Sequence, residues 1–353
     1  MRNHLPHFVF LISVAFTHAV SAHHSAAPHF DMNTTTTVEG VVTKVALVNP
    51  HAYVYFDAIE NDGAVEWRCE LRAGSILKRA AWDENTITPG TRIRITGSPA
   101  RREENVCKTD MLSLNGGASV DVMQVGQTYP SRGNQGDRIG SRSTTQDSRN
   151  RPEFLDDGQP NISGYWVATG RNSTGRAQLP QTEVGVEASR QWDYRFDFAE
   201  FRCEGSNIFE TLYHDRHVNE LMQYDNEIIL QYGFMDVRRI VHLGQDQHPE
   251  GIEPSMVGHS IGHWEGKTLV VDTIGFKQGA LIPPRGILHS DQMHVVERFS
   301  INGDGDVEWK FTATDPFLQN PFTGGLMLAL TAQPYEPYNC VELSGENNIR
   351  PTE

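Results

Sequence analysis

Apolar and polar positions alternate with a period of two through most of the chain, and the 3.6-residue period of a helix surfaces only in short stretches. Residues 38–45 read V-E-G-V-V-T-K-V and 49–58 read N-P-H-A-Y-V-Y-F-D-A, two strands. Asn61-Asp62-Gly63 is a turn signal, and V-E-W-R-C-E-L at 65–71 is a third strand. A-G-S-I-L-K-R-A-A-W at 73–82 groups Ile76, Leu77, Ala80 and Ala81 on one side of a helix. Thr88-Pro89-Gly90 then turns into T-R-I-R-I-T-G, and V-C-K-T-D-M-L-S-L at 106–114 follows. Three strands, a helix and two strands is the order of an OB-type barrel.

The pattern disappears between Val125 and Gln159, where Ser, Gly, Gln, Arg and Asn dominate, and a flexible linker is expected. Alternation resumes at Gly164-Tyr165-Trp166, a G-x-W of the kind that opens lipocalin-type barrels and that also suits a core Trp on any first strand. Residues 186–196 are compatible with a short helix. Strands are then expected at 207–213, 218–224, 226–232 and 236–243. A hairpin turning at Glu265-Gly266-Lys267, a strand over 289–301, another after Asn302-Gly303-Asp304-Gly305, and a last apolar run from Leu326 complete the set. The fold class is all-β: a small OB-type barrel followed by a larger antiparallel lipocalin-like barrel.

The first residues change the picture of where the protein works. Phe8–Phe16 is a short apolar run, and Ala19-Val20-Ser21-Ala22 offers a junction of small residues. Residues 1–22 therefore read as a signal peptide, 23–124 as the OB-type domain, 125–159 as the linker and 160–353 as the second barrel. The chain reads as exported, to the periplasm or beyond, with no transmembrane segment in its mature part, since no apolar run is long enough to span a bilayer as a helix. Export permits disulfides. The four cysteines fall two on each side of the linker, and Cys69–Cys107 with Cys203–Cys340 is the only pairing that keeps each bond within one domain; four free buried thiols are the alternative. A net charge of −15 argues against a nucleic-acid partner, whose phosphates need a basic face. The partner expected is a small molecule.

Cleavage after Ala22 leaves His23 as a free N-terminus beside His24. An α-amino group among imidazoles suits copper or zinc, while a solvated tail that binds nothing is the alternative. No other cofactor is expected.

Two stretches resemble families. A-H-H-S, V-E-G-V-V, V-N-P-H-A-Y-V and T-P-G-T-R-I-R-I-T-G, over residues 22 to about 117, resemble an uncharacterised family of secreted bacterial proteins made of this domain alone. The resemblance implies an exported OB-type domain and no activity; His23, His24 and His51 are its matching histidines, and His51 also suits a cap on the turn after Pro50. From about 160 to 348, G-H-S-I-G-x-W-E-G-x-T-L-V-V-D-T-I-G-F and H-S-D-x-x-H-V-x-E-R-F resemble a second uncharacterised secreted family, and imply a secreted β-domain. That family carries an acidic and a basic residue before its H-P; this chain has G-Q-D-Q-H-P.

The densest chemistry lies between Met256 and Phe299. Read as one strand, His289, Asp291 and Glu297 share a face. In the hairpin before it, Val270, Asp272 and Ile274 share a face that looks core-directed, so Asp272 is expected to point inward and to need a partner: His259, His289 or Arg239. Four readings fit these residues. His259, His289 and Asp291 transfer protons while Asp272 and Arg239 orient or balance charge, with Glu297 behind them. Alternatively His259, His289, His294 and a carboxylate hold a metal. The groups otherwise fix the polar end of a bound ligand without chemistry, or simply hold hairpins together. Gly258-His259-Ser260-Ile261-Gly262 has the letters of a G-x-S-x-G, but a nucleophile elbow needs a strand-to-helix turn and this segment runs into Trp264 and a β-turn. There is no H-E-x-x-H, no C-x-x-C and no phosphate-cradling loop. The preferred reading is binding of a small, partly apolar molecule with cofactor-independent acid–base conversion of the isomerase, lyase or cyclase type; the alternative is a periplasmic metal-binding or ligand-carrying protein.

Overall fold

The computed structural model describes residues 29–60, 63–129, 151–171, 179–213 and 217–341. The expected signal peptide, His23 and His24, and the middle of the expected linker lie outside the described residues.

In the N-terminal half, β1 (Thr36–Ala46), β2 (Tyr53–Glu60) and β3 (Gly63–Glu70) form an antiparallel meander. Helix α1 (Gly74–Arg79) crosses to β4 (Arg92–Pro99) and β5 (Val106–Leu114). β4 pairs with β1 and β5, and a parallel contact between β3 and β5 closes the barrel, with β6 (Val120–Asp121) added at the edge of β5. This is the OB order that the pattern predicts. Its core is built by Val54, Phe56, Leu77, Ile95 and Leu112, and the Cys69–Cys107 disulfide ties β3 to β5 at the closure. Gly97 sits at a register shift in β4, where a Cβ would lie 1.8 Å from the Lys108 carbonyl oxygen. Only a residue without a side chain lets the two strands approach there. Helix α2 (Val125–Thr128) extends this half into the stretch whose composition suggested a linker.

The C-terminal half is a closed nine-stranded barrel. Its strands in chain order are β7 (Gly164–Arg171), β8 (Val218–Gln223), β9 (Glu227–Gln231), β10 (Arg238–Leu243), β11 (His259–Glu265) and β12 (Thr268–Ile274), then β15 (His294–Ile301), β16 (Val307–Thr314) and β17 (Phe322–Thr331), which pairs back to β7. Between β12 and β15 the chain leaves the barrel to form a small hairpin, β13 (Gly279–Ile282) with β14 (Ile287–His289). Every barrel pairing is antiparallel except β10 with β11, because the 244–258 connection returns the chain to the end where β10 began. Trp166, Trp309, Phe299, Phe311 and Phe322 are buried inside, and Phe311 touches Trp309 and Phe322 with ring centroids 5.0 Å apart in each case.

Helices α3 (Glu183–Ser189), α4 (Tyr194–Asp197) and α5 (Ile208–Tyr213) lie between β7 and β8. The strand expected at 207–213 is a correction: this segment is α5. The Asn207 side-chain oxygen accepts from the backbone N–H of Phe209 and Glu210, an N-terminal cap that a strand has no use for. The helical turn then places Ile208, Phe209 and Leu212 on one buried face, with Phe209 4.3 Å from Phe311 between ring centroids. Residues 151–163 run along the second barrel. Arg151 donates to the carbonyls of Asn161 and Ser163 and lies over the Trp166 ring.

Candidate functional site

Register decides which polar groups meet. Leu269, Val271 and Thr273 of β12 point into the barrel and are fully buried. Asp272, between two of them, points out. The expectation that Asp272 faces inward with Val270 and Ile274 is therefore corrected. Val270 looks core-directed because the outer face of β12 is itself largely covered, the Val270 side chain being 7% exposed.

The pairings line up His242 of β10, Ile261 of β11, Asp272 of β12 and Val296 of β15 in one row across the outer face. His259 and His294 flank that row two residues along their own strands. His248, from the 244–258 connection, folds over it. Its Nε2 is 2.9 Å from Asp272 Oδ1, and its Nδ1 is 2.9 Å from His259 Nδ1. His294 Nε2 is 2.7 Å from Asp272 Oδ2. The His242 and His259 rings stack with centroids 5.0 Å apart.

The protonation pattern follows from the carboxylate. Partial burial works against its charge, but hydrogen bonds from His248 and His294 hold the Asp272 carboxyl below the usual carboxylate range. An ionised carboxylate only accepts, so His248 Nε2 and His294 Nε2 each carry their hydrogen. In the neutral ring, His248 Nδ1 is then an acceptor, and His259 Nδ1 must donate to it. That leaves a lone pair on His259 Nε2. Burial, then the neighbouring His242 and His248, push the proton affinity of His259 below the ordinary histidine value, which keeps that lone pair available. The chain of contacts His259–His248–Asp272–His294 can take up a proton at one end and settle the charge on an imidazole beside a carboxylate.

A second polar cluster lies inside the barrel and is sealed. Arg239 and Glu297 are each 1% exposed. Arg239 donates from Nε to Ser260 Oγ at 2.9 Å, from one terminal nitrogen to Thr273 Oγ1 at 2.7 Å and to Glu297 Oε2, and from the other to the Tyr232 hydroxyl at 3.5 Å. Trp309 Nε1 donates to Glu297 Oε1 at 3.0 Å. Burial opposes the Arg239 charge, but Glu297 and Tyr232 hold it protonated, while burial pushes the Tyr232 phenol up to about 12. Both charges are met by hydrogen bonds, as buried ions must be. Ser260 and Thr273, on the inner face beside outward His259 and Asp272, thus serve a different cluster.

The remaining candidates do not join either group. His289 is 2% exposed, with Nδ1 2.9 Å from the Ser290 carbonyl oxygen, and burial pushes its proton affinity down. Asp291 is exposed in the turn after it. The expected strand-mate relation of His289 and Asp291 is corrected: Asp315 Oδ2 accepts from both Ser290 N–H and Ser290 Oγ, which bends the chain and ends β14 at His289. His51 Nδ1, in the OB barrel, is 3.1 Å from Glu70 Oε2. Among the described residues, no three side chains of the metal-ligating types converge on one point, so the metal reading of His259, His289, His294 and a carboxylate is corrected as well; both nitrogens of His248 are spent on hydrogen bonds and His289 lies apart. Cys69–Cys107 and Cys203–Cys340 are both formed.

Sequence reasoning missed His242 and His248 and left His294 to the metal reading. His242 shares the outward face of β10 with Ile240, opposite inward Arg239 and Val241; a buried Arg and an exposed Ile reverse the usual polarity, so alternation alone did not mark that face. His248 belongs to an irregular connection, and only its two hydrogen bonds place it.

The family model that matches is a family of unknown function (DUF6152), over residues 10–109, the region of the OB barrel. No curated protein matches the chain. Among solved structures, the chain is similar to the crystal structure of an asparagine-to-alanine mutant of the fluorescent protein UnaG, at 14% identity and a TM-score of 0.25, covering 49% of this chain and 97% of that one. The all-β class and both closed barrels stand on this chain's own strand pairings.

Proposed function

We propose that the second barrel binds a small, partly apolar molecule on its outer face and exchanges protons with it through His259. One observation carries this reading: Asp272 accepts from both His248 and His294, and His248 hands its other nitrogen to His259. A proton taken by His259 Nε2 lets the Nδ1 hydrogen pass to His248, whose positive ring then sits against the Asp272 carboxylate. The Ile261 and Val296 side chains between the histidines supply apolar surface for the body of the ligand. The reaction class is proton abstraction and return, as in an isomerase, a lyase or a cyclase, with no cofactor. Arg239 and Glu297 set the geometry of β11, β12 and β15 from within, and His289 supports the hairpin beside them. The chain is exported: two disulfides and the short apolar segment over Phe8–Phe16 support that reading. Copper or zinc at His23, His24 and His51 belongs to the same proposal as a separate, N-terminal site.

The experiment starts from a panel of small carbonyl compounds with an apolar body, screened by thermal shift. Compounds that raise the melting temperature are then incubated with the protein in D2O. Deuterium uptake beside the carbonyl, measured by mass spectrometry, is expected for the wild type and is expected to fall about 10²–10⁴-fold in His259→Gln. Binding without deuterium uptake makes this a carrier and ends the catalytic reading. Equal binding and uptake in His259→Gln and Asp272→Asn removes the outer-face cluster from the function altogether.

A further inference from the structure

The N-P-H-A element of the OB barrel is not used by the histidine cluster, yet its first residue is a hub. Asn49 is 7% exposed. Its side-chain oxygen accepts from the backbone N–H and the hydroxyl of Ser75 at 3.0 Å each, which fixes the loop to the start of α1. Its side-chain nitrogen donates to the Tyr338 carbonyl, and its own carbonyl accepts from the Val341 N–H at 2.7 Å. Asn49 and Cys340 form a parallel β-bridge. The segment following β17 is therefore a strap that reaches from the second barrel to the first.

The strap is held to its own barrel up to Tyr338. Tyr338 N–H donates to Asp236 Oδ1 at 2.8 Å, and its ring meets His217 and Phe234 at 5.1 Å each. Beyond Tyr338 the described chain is held by the Cys203–Cys340 disulfide and by Asn49. A few hydrogen bonds do not by themselves offset the ordering of the residues that make them. The disulfide supplies what is missing by restricting Cys340 before it docks. The two disulfides also differ in access. Cys69 and Cys107 are 0% exposed, while Cys203 and Cys340 are partly exposed. A thiol reaches only the second pair from solvent.

We infer that the N-P-H-A loop is the receptor for the Asn339–Val341 strap, and that the Cys203–Cys340 disulfide controls whether the strap is docked. The reaction is thiol–disulfide exchange with a dithiol: the sulfur–sulfur bond breaks, Cys203 and Cys340 each gain a hydrogen, and the dithiol closes to its own disulfide. The inference does not depend on the histidine cluster.

The full chain is treated with increasing dithiothreitol, the state of each disulfide is followed by mass mapping, and backbone amide exchange is measured in parallel. Cys203–Cys340 is expected to open first. The Val341 amide should then exchange at least ~10-fold faster, one decade of opening equilibrium, while amides shared by β15 and β16 keep their rates. The Cys203→Ser/Cys340→Ser double variant should reproduce this without reductant, and Asn49→Ala should do so with the disulfide intact. Unchanged Val341 protection with the bond open would overturn the inference. So would equal loss of protection in β15 and β16, which would make the disulfide a clamp on the barrel fold, or prior opening of Cys69–Cys107.

Discussion

Arg239 shows how much can rest on one side chain. It is buried with Glu297 as its counter-charge and spends donors on Ser260, Thr273 and Tyr232. Arg239→Met leaves Glu297 buried without a cation and should cost about 3–5 kcal/mol of folding stability, read from urea denaturation. Arg239→Met/Glu297→Leu should recover most of that loss, since apolar groups of similar volume replace such pairs with little penalty; a double variant no better than the single would show that Glu297 matters for another reason. The histidines set the acid limit. Burial lowers the proton affinity of His217 to about 3, and that of His289 and His259 also lies below the ordinary value. Between the unfolded value near 6.5 and these folded values the unfolded chain binds more protons. Their stabilisation is therefore complete above about pH 6.5 and is lost as pH falls below it, at up to about 1.4 kcal/mol per pH unit for each fully buried ring. Asp272 acts in the same direction at lower pH: its contribution is present above the ordinary carboxylate value and is lost as pH falls through its depressed folded value. Urea midpoints at stepped pH should fall less steeply below pH 6.5 in His217→Leu than in the wild type, and parallel slopes would show that His217 titrates normally.

At the scale of elements, α5 is the segment where local and tertiary signals compete. N-I-F-E-T-L-Y alternates well enough to read as a strand, but Asn207 caps it as a helix and also donates to the carbonyls of Ala280 and Leu281 in β13. Asn207→Ala should cost roughly 0.5–2 kcal/mol for the cap alone, with a further loss from the two β13 carbonyls, measured as a shift in urea midpoint. A change within error would mean that packing of Phe209 alone holds α5. The strand boundaries near His289 have the same origin. Alternation runs on through 289–301, but the Asp315 carboxylate, more than twenty residues later, captures Ser290 and bends the chain. No local pattern carries that information.

Over the whole molecule, two cores with separate membership occupy the two barrels, and Asn49 with the 338–341 strap joins them. An OB barrel invites a nucleic-acid reading, but the chain carries a net charge of −15. A fluorescent single-stranded oligonucleotide should show no anisotropy change at physiological salt up to protein concentrations of about 10⁻⁴ M, the weak end of non-specific binding; saturable binding in the micromolar range would defeat the charge argument. The order of strands and helix in the first half, the all-β class of the second, and the two-and-two cysteine pairing were legible in the sequence. Each depends on residues close in the chain or on counting. The face on which Asp272 lies, the arrival of His248, the parallel β10–β11 pair and the turn after His289 were decided by the tertiary structure. A period of two says that neighbours point to opposite faces, but it does not say which face is inside when both are covered. That choice is made by barrel closure and by side chains such as Asp315 and His248, whose partners lie on other elements.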